Sequence, residues 1–159
     1  MKKNFVIFST VITLILVSLV LYFNDMQMNE CLEFRVPKFT KREKIELQAR
    51  DIFNDEELIK IYLSKKQMKR ISKNIEKNNN WRNTKLDERL NERMNFYTRE
   101  EIYNKIPNIE NAYWIFTNRS NGVEDKHSIE QLLDDMYYAV SLGILDMDNN
   151  ILYYYEYDR

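Results

Sequence analysis

From Phe5 to Phe23 the chain runs without a charge, a proline or a glycine, with Lys2 and Lys3 before the run and Asn24 and Asp25 directly after it. A helix of that length, rising 1.5 Å per residue, crosses a hydrocarbon core of roughly 30 Å. The run therefore predicts a single transmembrane signal anchor over 5–23 behind a cytoplasmic stub at 1–4. No cation follows until Arg35, so the positive-inside bias puts the N-terminus in the cytoplasm and the C-terminal body outside, at the cell membrane. A cleaved signal would end in small residues of the Ala-x-Ala kind, and none follow Phe23. Ser9 and Thr13 share one helical face, where each hydroxyl is expected to bond a preceding carbonyl, and Tyr22 suits the headgroup layer.

Residues 24–37 then read as a polar tether. About 120 residues remain, enough for one domain, 38–159, and hardly for two. Gly122 and Gly143 are the only glycines, which excludes the glycine loops that cradle phosphates. Cys31 is the only cysteine, which excludes an intrachain disulfide and any multi-cysteine zinc site. The net charge of −1 conceals a division: Lys38 to Lys105 carries 18 Lys and Arg against 12 Asp and Glu, while Ile106 to Arg159 carries 3 against 10. A basic half is joined to an acidic one, a pattern of charged-surface binding or of two halves with complementary fields.

At four places a hydroxyl or amide residue three positions ahead of Glu or Gln is read as a helix start of the capping-box kind. Thr40 with Glu43 predicts a first helix over about 41–53, bearing Ile45, Ala49, Ile52 and Phe53. Asn54 with Glu57 predicts a second, whose stripe is Leu58, Ile61, Tyr62, Met68, Ile71 and Ile75 and which ends at Asn78-Asn79-Asn80. Thr84 caps a third helix with Leu86, Leu90, Met94 and Tyr97; Thr98 with Glu101 opens another, and Pro107 closes the helical half. Tyr113-Trp114-Ile115-Phe116-Thr117 is aromatic and β-branched and reads as a buried strand. Ser128 with Gln131 opens a short helix through Leu132, Leu133 and Met136. Tyr138 to Leu145 and Ile151 to Tyr157 read as a hairpin across Asp146-Met147-Asp148-Asn149-Asn150. The expected fold is α+β: the membrane helix, a basic helical half at 38–106, and an acidic half at 107–159 built on a small antiparallel three-stranded sheet.

Chemistry is sparse. Asp146-x-Asp148-x-Asn150 copies the start of a calcium loop, but Ile151 stands where that loop needs glycine and Tyr157 where it needs a bidentate glutamate, so a plain turn is expected. His127, the only histidine, has Cys31 as its only thiol partner, and one lies before a helix while the other lies on the tether. No Gly-x-Ser-x-Gly turn supports serine catalysis. Glu156 with Asp158, and Asp134 with Asp135, are the acid pairs a carboxylate hydrolase would use. No metal, cofactor or catalytic residue is expected.

Two surfaces stand out instead. Lys65, Lys66, Lys69, Arg70, Lys73, Arg82, Arg89 and Arg93 form a cationic stretch suited to an anionic partner, whether a protein or an acidic envelope polymer. Nucleic acid is not expected, because the domain is placed outside the cell and no aromatic residues interleave. Trp114, Tyr154, Glu156 and Asp158 form an aromatic and acidic group suited to a basic protein, although Tyr153, Tyr155 and Tyr157 alternate against Tyr154, so at least one set is core. The leading reading is a binding module on the outer face of the membrane. A membrane-tethered hydrolase using paired carboxylates and an immunity-like or regulatory subunit with an acidic face are the alternatives.

Overall fold

The capping-box spacing at Thr40–Glu43 opens a strand, not a helix. The computed structural model describes residues 10–13, 25–46, 55–83, 89, 109–120, 122–134 and 139–158, and the chain divides into two units, Met1–Val36 and Pro37–Arg159. The second unit runs β1 (Lys41–Glu46), β2 (Asp55–Tyr62), α1 (Lys65–Ile75), β3 (Ala112–Asn118), α2 (Ile129–Asp134), β4 (Ala139–Asp146) and β5 (Ile151–Asp158). Its five strands form one sheet in the order β1-β2-β5-β4-β3, every neighbouring pair antiparallel.

The α+β class stands, but the sheet has five strands where three were expected, and the two extra ones occupy the ground assigned to the first two helices. The reason is that both sides of β2 are covered. Leu58 lies on one face and Ile61 on the other, and neither is exposed at all. Once both faces are apolar the period of two disappears, and Leu58, Ile61 and Tyr62 mimic a helical i, i+3, i+4 stripe. In β1 the four consecutive charged residues Lys41, Arg42, Glu43 and Lys44 leave only Ile45 to read, which is too little to fix a period.

The membrane expectation is also corrected. Among the described residues no helix is long and apolar enough to cross a membrane, so the single-pass anchor over 5–23, and with it the cytoplasmic stub and the external body, is not supported. Of that run only residues 10–13 are described, as helix; the remainder lies outside the described residues. Apolar composition sets a preference for a non-aqueous setting, whereas a span needs an unbroken helix of about 20 residues. Within the first unit, residues 25–32, read as tether, are helical. Met28, Cys31 and Leu32 recur at helical spacing and are buried. Glu33 turns the chain with φ 56°, and the Val36 N–H donates to Asn29 Oδ1 at 2.7 Å.

Rungs across the sheet set the core of the second unit. Leu58, Tyr155, Leu142 and Phe116 are successive partners across β2, β5, β4 and β3, and Tyr153, Ile144 and Trp114 form the rung beside them. These side chains share one cluster with Val140, Tyr157, and Ile129 and Leu132 of α2, so α2 roofs that face. Ser128 starts α2 as its spacing predicts, its Oγ accepting from the Gln131 N–H at 3.3 Å. At the outer side of β3, Arg82 and Trp114 exchange two backbone hydrogen bonds, of 2.8 and 3.0 Å. The expected third helix from Thr84, the box at Thr98 and the stop at Pro107 lie outside the described residues.

Candidate functional site

α1 starts ten residues later than the signal at Asn54 suggests, at a capping box formed by Ser64 and Gln67. Ser64 Oγ accepts from the Gln67 N–H at 3.3 Å, and Gln67 Oε1 accepts from the Ser64 N–H at 2.8 Å. Two of the orphan donors at the helix start are thereby satisfied. The helix buries Met68, Ile71, Ser72 and Ile75. That leaves Lys65, Lys66, Lys69, Arg70, Lys73 and Asn74 exposed, spaced so that Lys65, Lys69 and Lys73 follow one ridge and Lys66 and Arg70 the next. No acidic residue occurs within Lys65–Ile75, and the C-cap that follows is Glu76.

The arrangement has an electrostatic cost. The first turn contains no acid and two lysines, facing the positive end of the helix dipole, where a cation is disfavoured by roughly 0.3–1 kcal/mol. Only Lys73 sits in the last turn, where a cation is favoured.

Five of the eight cations expected to act together are therefore on one exposed helix face. The other three are not. Arg82 lays its guanidinium over Trp114, 4.9 Å from the ring centroid, and over Phe116 at 5.7 Å, and donates through Nη2 to the His127 carbonyl at 3.2 Å. It acts as a cation–π lid on the core. Arg89 forms an ion pair with Glu130 at 3.3 Å, and the Glu130 carboxyl is held below the usual carboxylate range chiefly by its own backbone N–H, with burial opposing next and Arg89 and then Ser128 reinforcing the lowering. Arg93 lies outside the described residues.

The aromatic and acidic group is divided by the sheet. Trp114 belongs to the rung of Tyr153, so strand alternation puts Tyr154 and Glu156 on the opposite face. Trp114 is 3% exposed and Tyr154 2%, which rules out either ring as a docking surface. Tyr154 instead links Ser141 at 3.1 Å to Glu156, to which its hydroxyl donates at 3.0 Å. The Glu156 carboxylate is also paired with Arg119 at 2.9 Å in a mostly buried contact. Asp158 is the β5 partner of Asp55 and Ala139; its side chain and those of Asp134 and Asp135 lie outside the described residues.

The remaining motifs have local tasks. Asp146, fully buried, accepts at Oδ1 from the N–H groups of Asp148 and Asn149 at 3.0 and 2.9 Å, and at Oδ2 from the Asn149 side chain at 2.8 Å. Both oxygens serve the hairpin turn, which Asn150 completes with φ 56°. His127 places Nδ1 2.7 Å from the Phe116 carbonyl, so that nitrogen carries the proton and donates. Among the described residues no group of three or more His, Cys, Asp or Glu side chains is placed to hold a metal ion. Comparison with known protein families, curated proteins and solved structures finds no match.

Proposed function

We propose that the protein is a binding module, not an enzyme, and that the solvent face of α1 is the surface that holds an anionic partner. The observation that supports this most is the make-up of that face: five cations and an asparagine, with Glu76 at the C-cap as the flanking acid, and two of the cations kept in the first turn against the helix dipole. A helix selected only for stability would place Asp or Glu there. Within Lys65–Ile75 no acid is available to pair with these cations, and Glu76, the exposed C-cap, is the acid that directly follows them.

The reading is tested with the full chain and two generic polyanions, heparin and polyglutamate. Affinity is expected to fall steeply with salt for at least one of them, because displaced counterions dominate such binding. Replacing Lys65, Lys69 and Lys73 together with Gln is expected to abolish most of it with the far-UV circular dichroism unchanged. Salt-indifferent binding, or binding that survives the triple substitution, would reject the reading.

A further inference from the structure

We infer that the anion taken by α1 is the phosphodiester backbone of a double-stranded nucleic acid, held without reading its base sequence; the inference rests on the binding reading above. Three features of the face select this chemistry. First, protein interfaces depend on desolvated apolar and aromatic anchors and are depleted in lysine at their centres. The exposed side of α1 has no apolar or aromatic side chain, its Met68, Ile71 and Ile75 all being buried. Phosphate contacts need no such anchor: they are wet, cationic and made largely by Lys, Arg and amide side chains. That describes Lys65, Lys66, Lys69, Arg70, Lys73 and Asn74.

Second, the ridge has the right pitch. Lys65, Lys69 and Lys73 stand four residues apart, about 6 Å along the helix at 1.5 Å per residue. That separation lets flexible lysine stems meet successive phosphates of one strand, while Lys66 and Arg70 on the adjacent ridge widen the contact.

Third, the absence of exposed aromatic rings from α1 discriminates between strands. Single-stranded nucleic acid is held by stacking bases on aromatic side chains, whereas a duplex hides its base faces and presents its phosphates. The earlier expectation against nucleic acid had two grounds. External placement is no longer supported, and missing aromatic interleaving argues only against single strands. With five cations against one flanking acid, Glu76, and a chain charge of −1 overall, the interaction is local and strongly screened by salt, not steered from long range.

The test uses the full chain and fluorescence anisotropy with a labelled duplex of mixed sequence, the matching single strand, and polyglutamate of equal charge. Four or five phosphate contacts give a slope of log affinity on log salt of about −4, a loss of roughly two to three orders of magnitude between about 50 and 200 mM salt. The duplex is expected to bind more tightly than either other probe, and an unlabelled duplex of different sequence to compete equally. The K65Q/K69Q/K73Q protein should lose about three units of slope, and the single variants K69Q and K73Q about one each, should the triple variant prove unfolded. Lys126→Gln, at an exposed position in the loop before α2, should leave the slope unchanged. Binding of polyglutamate as tight as that of the duplex would overturn the nucleic-acid assignment and leave the binding reading standing. A slope unmoved by the α1 variants would overturn the assignment of the site; failure to bind the duplex would overturn the nucleic-acid assignment, and failure to bind heparin and polyglutamate as well would remove the binding reading with it.

Discussion

Two buried side chains show how single residues fix the fold. Asp146 holds the β4–β5 turn by accepting three hydrogen bonds. Asp146→Ala would leave the Asp148 and Asn149 N–H groups without that acceptor, a loss of about 1–3 kcal/mol, and is expected to lower the urea midpoint accordingly. Asp146→Asn, which keeps one acceptor, should fall between. Tyr153 gives a second expectation. Burial, then the charge of Asp146, then Tyr62, push its phenol above the ordinary value of 10.0. A raised folded value means that its contribution to stability is fully present below the unfolded pKa and is lost as pH rises through and beyond it. Stability should therefore fall on the alkaline side of about pH 10, and Tyr153→Phe should flatten that limb in melting curves taken at rising pH. Tyr62, pushed up by its 2.7 Å hydrogen bond to Glu43, acts in the same direction but from the surface.

At the scale of elements, α1 carries a conflict between stability and binding. Ser64→Ala removes the cap and should cost about 1 kcal/mol. Replacing Lys65 and Lys66 with Glu should do the opposite, raising the melting temperature by relieving the unfavourable end of the dipole while weakening polyanion binding. A double variant that gains stability and keeps full binding would show that the first-turn lysines have no part in the surface. The same elements show what the sequence made legible. β3, the β4–β5 hairpin and α2 were readable because aromatic and β-branched runs stood between turn residues and a true cap. β2 was not, since a strand covered on both sides loses its alternation and Leu58, Ile61 and Tyr62 happen to fall at helical spacing, and β1 was not, since its exposed charges left only Ile45 to read. The cap at Ser64 was hidden by extending that false helix through it.

For the whole molecule, the candidate surface was partly legible and for a simple reason. Lys65, Lys66, Lys69, Arg70 and Lys73 lie on one helix, so local spacing alone fixes their common face. Arg82, Trp114, Tyr154 and Glu156 depend on tertiary partners: Arg82 lies over Trp114, and Tyr154 bonds Glu156 behind the sheet. No periodicity within a strand reveals which of two buried faces a ring will join. The core cluster ties β2 to α2 through Tyr155, Leu142 and Phe116, and truncating Leu58 to Ala within it should cost about 2–5 kcal/mol while leaving the α1 face chemically intact.

The most direct measurement is a backbone-amide NMR titration of the full chain with heparin at low salt. The account predicts that the largest shift changes fall on Lys65, Lys66, Lys69, Arg70 and Lys73 and vanish when salt is raised. Changes centred on the sheet or on the α2 loop, with the α1 signals unmoved, would contradict it.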